Sequence, residues 1–154
     1  MKKIWLLLFA AVLVLCSCET YTSHIDDLNG ENDFSLCKLN ERQLLTDKPQ
    51  VLKQNAVLSQ NGGNVSFSVK KMSGVEVLYS LTAKNGDVCT VTADTSCISG
   101  NLRLFWWHDG NIIKDIPVNE PQSFKMTFKE SGKYELRAAA ESANFTADIA
   151  CAVD

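Results

Sequence analysis

Few residues in this chain are suited to chemistry: two histidines (His24 and His108), six cysteines and scattered carboxylates. The one neighbouring histidine–acid pair, His108-Asp109, lies inside "RLFWWHDGN", residues 103–111. Zinc centres draw on closely spaced cysteines or on several histidines that converge. None of Cys37, Cys89, Cys97 and Cys151 forms a Cys-x-x-Cys pair, and no second histidine lies near His108. Asp109-Gly110 is a dipeptide that turns favour for its backbone alone, so the pair reads as a turn. "DLNGEND", residues 27–33, alternates acids and amides as a calcium loop does. Counted from Asp27, its sixth and twelfth positions are Asn32 and Lys38 where glycine and glutamate are needed. There is no Gly-x-Ser-x-Gly, and Asp115, Glu120 and Glu141 read as solvated faces. The expectation is a non-enzyme with no cofactor and no metal.

The elements that position these residues begin after a removable leader. Residues 1–17, "MKKIWLLLFAAVLVLCS", place Lys2 and Lys3 before an apolar run from Ile4 to Leu15. That run is short for a membrane span, and its order is that of a secretory signal. "LCSC", Leu15 to Cys18, resembles the lipobox of bacterial lipoproteins, with Leu15 at minus three, Ser17 at minus one and Cys18 as the acylated residue. The resemblance implies cleavage before Cys18 and three acyl chains on it, enough to anchor the protein to a membrane without spanning it. Glu19 follows the cysteine where an aspartate would signal inner-membrane retention, so the resemblance implies the outer membrane, with either orientation open. Loss of Lys2 and Lys3 takes the formal charge from −3 to −5. An acidic chain without a basic run argues against nucleic acid.

Residues 18–39 are read as a polar, lipid-proximal tether and 40–154 as one domain. Asn40, with Gln43 three residues on and Pro49 as a stop, predicts one short helix over 40–48. From residue 56 onward the pattern is all-β. Asn61-Gly62 and Asn85-Gly86 each separate two alternating runs, a hairpin signal. Val65, Phe67 and Val69 predict one buried face, Val75, Val77, Tyr79 and Leu81 a second, and Cys89, Val91 and Ala93 a third. Further strands are expected at about 102–107, 123–128, 133–140 and 145–153, which points to a sandwich or barrel.

Within 86–154 the pattern resembles immunoglobulin-like and PKD-type domains. "FWWHDGNII" resembles strand C, with Trp106 as the core tryptophan, and "ESGKYELRA" resembles strand F, with Tyr134 at the tyrosine corner. "GDVCTVTA" resembles strand B, although Ala93 and Leu136 stand where antibody-type domains carry their inter-sheet cysteines. The resemblance implies an immunoglobulin-like antiparallel β-sandwich, here with an extra N-terminal hairpin. It also implies that Cys89, starting strand B, and Cys151, ending strand G, lie at one end of the core. An exported chain favours disulfides, so Cys89–Cys151 is the expected pair, leaving Cys97 for Cys37.

Alternation then divides the tryptophans. With Leu102, Leu104 and Trp106 inward, Arg103, Phe105 and Trp107 face outward, above small Ala139. Two arrangements answer for such an apolar face. Either the N-terminal segment, with Leu44, Leu45, Val51 and Leu52, covers it, or Arg103, Phe105 and Trp107 form a ligand platform for a glycan or for an envelope or host protein. The functional expectation is a membrane-anchored binding or adhesion module, or alternatively a structural subunit of an outer-membrane or cell-surface complex.

Overall fold

A computed structural model describes residues 39–154. The leader, Cys18, the tether to residue 38 and Cys37 lie outside the described residues. The elements are a short helix, α1 (Glu41–Leu45), and six strands: β1 (Val51–Asn61), β2 (Asn64–Ala83), β3 (Val88–His108), β4 (Asn111–Ile116), β5 (Gln122–Thr127) and β6 (Gly132–Val153). Helix α1 forms where its cap residues require it. The Asn40 side chain accepts from the Gln43 N–H, and the Gln43 side chain accepts from the Asn40 N–H. It ends at Thr46, which is already extended, earlier than the expected residue 48.

All pairing is antiparallel, in the order β1-β2-β6-β3-β4, with β5 also on β3. The chain is all-β and folds as a sandwich, but its strands are longer than their sequence pattern suggests. Segments expected as separate strands at 64–69 and 75–82, 88–94 and 102–107, and 133–140 and 145–153 are halves of three continuous strands of 20, 21 and 22 residues. The physical reason is a bulge inside each. Strand β6 buries Tyr134, Leu136, Ala138 and Ala140 on even positions, then Phe145, Ala147, Ile149 and Cys151 on odd ones. Strand β3 buries odd Cys89, Val91 and Ala93, then even Leu104 and Trp106. An extra residue bends a strand and switches which parity faces inward, and register shifts sit at Val69–Gly74, Cys97–Asn101 and beside Ser142. Gly100 has φ +78, and a Cβ there would meet the Ser142 and Glu141 carbonyl oxygens at 2.4 and 2.6 Å. Only glycine fits so close a crossing of backbones.

The bent sheet folds over itself, so that residues from both halves of each long strand share one core with Phe67, Phe128 and Phe145. Trp106, fully buried, meets Phe128 edge-on at 6.4 Å. The Tyr134 hydroxyl donates to the Glu130 carbonyl at 2.9 Å, the bond of a tyrosine corner.

Three expectations need correction. The immunoglobulin arrangement puts strands B and G in different sheets, whereas here the corresponding segments are hydrogen-bonded neighbours, Val91 opposite Cys151. The N-terminal hairpin is no appendage, because β2 pairs with β6 along its whole length and is an interior strand. Val75, Val77, Tyr79 and Leu81 do not share one face: a bulge between Val77 and Tyr79 turns Leu78 into the main core and leaves Val75 in a second one.

Candidate functional site

Strand alternation places Phe105 and Trp107 opposite to Trp106, as expected, yet both are buried, at 0 and 7% exposure. The ligand platform expected of Arg103, Phe105 and Trp107 is therefore corrected: the two rings lie beneath the N-terminal segment. Leu44 of α1 forms a second core with Val75, Phe105, Trp107 and Ala139, and Leu39, Leu45 and Ile112 pack around it. A five-residue helix is too short to hold itself in water, so this apolar contact must stabilise it. Arg103 is exposed; its guanidinium lies 5.6 Å from the Phe105 ring centroid and binds Asp115 on β4 through two bonds of 2.7 and 3.1 Å.

What fastens the segment is a charged residue of β6 on the same face of the sheet as Phe105 and Trp107. Arg137, opposite Phe105 in the β3–β6 ladder, is 0% exposed. Its guanidinium stacks over the Trp107 ring, 3.8 Å from the centroid, and donates to the Leu44 and Thr46 carbonyls at 3.2 and 2.7 Å. Those are carbonyls that the end of a helix leaves without intrahelical partners. Trp107 Nε1–H donates to a third, that of Leu45, at 3.3 Å. A buried cation is tolerated when paired, and Glu135, opposite Trp107, contacts Arg137 at 2.6 and 2.8 Å. Burial alone would raise the Glu135 pKa, but hydrogen bonds from Lys133 and Arg137 outweigh it and hold the carboxyl below its ordinary range. The signal in the sequence was an acid and a base two residues apart, on the strand face that also carries Ala139 and meets the tryptophan.

His108-Asp109 does close the β3–β4 hairpin. Asp109 and Gly110 both have positive φ, 44° and 75°, the pair of conformations a two-residue hairpin turn requires. His108 stacks on Tyr134, with centroids 4.0 Å apart, and its Nδ1 lies 2.9 Å from the Lys133 carbonyl. Among the described residues no three His, Cys, Asp or Glu side chains are grouped to hold a metal ion. No disulfide joins Cys89, Cys97 and Cys151.

With the aromatic face covered, the edges of the sheet remain: β1, which pairs only with β2 among the described residues, and the six-residue β4 and β5, each paired only with β3. The first half of β1 carries a charge that protects an edge, Lys53, which reaches Glu76 at 2.7 Å, and Asn55 has φ 51° while the register against β2 stays regular. Its second half, Ala56–Asn61, has neither charge, proline nor bulge. Val57 and Leu58 stand exposed on it, at 67 and 38%.

No family model matches the chain, and no curated protein matches it in sequence. Among solved structures it is similar to the crystal structure of Aeromonas hydrophila PliG, a periplasmic lysozyme inhibitor of g-type lysozyme. The TM-score is 0.30 and the identity 15%, over 68% of this chain and 86% of that one.

Burial of both tryptophans sets their energetic rank. Trp106→Ala and Trp107→Ala should each destabilise by roughly 3–5 kcal/mol, the range for a large buried aromatic, as read by chemical denaturation. A Trp107→Ala cost under about 1 kcal/mol would show the ring uncovered in solution. A second expectation concerns pH. With its folded pKa below the unfolded one, Glu135 stabilises the docked segment at neutral pH, and that stabilisation is lost as pH falls through the folded value. Pepsin cleavage near Leu44-Leu45 should therefore accelerate relative to cleavage in β2, β3 or β6 as the pH falls below the ordinary range of a glutamate carboxyl. In Glu135→Gln that acceleration should disappear, the segment being loosened at every pH.

Proposed function

We propose that the mature chain is a lipid-anchored module of the outer membrane that binds a protein partner and carries out no catalysis. The observation behind this reading is the unprotected edge Ala56–Asn61. An edge strand offers a row of main-chain N–H and C=O groups to another extended chain, and the side chains on its two faces select the partner. Val57 and Leu58 point to opposite faces of that edge, so an added strand meets an apolar side chain on each. A glycan is a poorer partner, because the rings that would stack on a sugar lie beneath Leu44 and Leu45. The anchor rests on the lipobox-like Leu15-Cys16-Ser17-Cys18, and the acidic balance keeps nucleic acid out of the proposal. The second reading, a structural subunit of an envelope complex, would use the same edge permanently.

Two experiments test this. Metabolic palmitate labelling should be lost in Cys18→Ala, and labelling that persists would move the acylated residue to Cys16. A photo-crosslinker placed at Val57 should give one discrete adduct in intact envelopes, and Val57→Lys should abolish capture by a crosslinker at Ser59. Because Val57 is exposed, Val57→Lys should change stability by no more than about 0.5 kcal/mol. Capture unaffected by the lysine would remove β1 from the proposal. An adduct recovered at fixed stoichiometry in every preparation would favour the structural-subunit reading.

A further inference from the structure

The strand register settles which cysteines can reach one another. Strand β3 runs without interruption from Val88 to His108, and its register against β6 is regular from Cys89 to Cys97. Eight residues of strand at about 3.3 Å each separate these two, whereas the Cα atoms of a disulfide lie within about 7 Å. A local Cys89–Cys97 bridge is excluded. Cys97 stands opposite Phe145, six residues of β6 away from Cys151, which excludes that bridge by the same measure. Cys89 and Cys151 differ. With Val91 opposite Cys151 and Cys89 opposite Val153, they are diagonal neighbours on the inner face of adjacent strands. Both are buried in the main core, at 0 and 8% exposure. Cys97 is turned toward its own chain, its sulfur 3.4 Å from the Ser99 carbonyl oxygen.

We propose that Cys89 and Cys151 are an oxidative modification site, closed as an intramolecular disulfide in the exported protein. The closure is a thiol–disulfide exchange. The Cys89 thiolate attacks a disulfide-form oxidant such as oxidised glutathione, giving a mixed disulfide and releasing one thiol. The Cys151 thiolate then displaces the second. The protein gives up two protons and two electrons, and one oxidant disulfide becomes two thiols. Because both sulfurs are buried, the exchange takes place before β6 docks, during folding. The bridge ties the end of β6 to the start of β3, and through Cys151 N–H, which donates to the Gly63 carbonyl at 2.9 Å, it also borders the β1–β2 turn. It thereby stiffens the end of the sheet at which the open edge turns.

Peptide mapping of the full mature chain, purified from envelopes with free thiols alkylated first, tests this. Trypsin leaves Cys89 and Cys97 on one peptide, residues 85–103, so a second cut before Asp94 is needed to separate them. The expected result is the Cys89 peptide joined to the C-terminal peptide carrying Cys151. Reduction should lower the thermal midpoint by roughly 10 °C, as expected for a closed loop of about sixty residues. Cys89→Ala should leave Cys151 alkylated and make the midpoint insensitive to reductant. Recovery of Cys89 and Cys151 both alkylated, or of Cys89 joined to Cys37 or Cys97, would overturn the proposal. The map is read on the unsubstituted chain, so it stands even if the variant fails to fold.

Discussion

A β-strand can bury only every second side chain on one face, and this molecule is organised around the places where it breaks that rule. Strands β2, β3 and β6 each run for 20 or more residues and each contribute to both layers of the sandwich. Without a bulge, the second half of each would turn its apolar set to solvent. The shifts lie side by side across the sheet, with Gly74 opposite Ala140 and Asn101 opposite Glu141, so the strands bend together. One sheet thus encloses its own core. The crossing is tight enough that Gly100 has no room for a side chain.

The same bend produces a second apolar surface on the far side of β3 and β6, and covering it is the work of the N-terminal segment. Leu44 supplies the apolar contact, but a helix of five residues also ends in carbonyls that need partners. Arg137 and Trp107 supply them from the sheet. Their arrangement turns two groups that would be costly alone, a buried cation and the end of a short helix, into partners. Glu135 completes the set, and its low pKa records the positive charge around it. Leu39, which packs on the same core, is held in turn by its N–H, which donates to Glu141 at 2.7 Å.

Covering the aromatic face moves the question of binding to the edges. Strand β1 is protected along its first half and open along its second. A long unprotected edge invites non-native pairing, so keeping one has a cost that a partner strand would offset.

Much of this was legible in the residues themselves. The capping box at Asn40 and Gln43, the inward parity of Trp106 and Tyr134, and the turn at Asp109-Gly110 all follow from short-range chemistry, where backbone preference and a few neighbours decide the outcome. The two expected Asn-Gly hairpins fared differently: the first turns at Gly62-Gly63, with Asn61 still in β1, and Asn85-Gly86 turns the chain between β2 and β3, which do not pair. The sequence also showed that Phe105 and Trp107 face away from Trp106, since alternation along six residues is local. It could not show that they are covered, because that depends on Leu44, some sixty positions earlier, meeting them. Nor could it place Arg137, whose burial requires Glu135, Trp107 and two helix carbonyls to converge from three segments. The strand halves looked like separate strands because a bulge interrupts the period of two while leaving the chain continuous. Which strands become neighbours, and so which cysteines can meet, was decided only when the bent strands paired across the whole length of the chain.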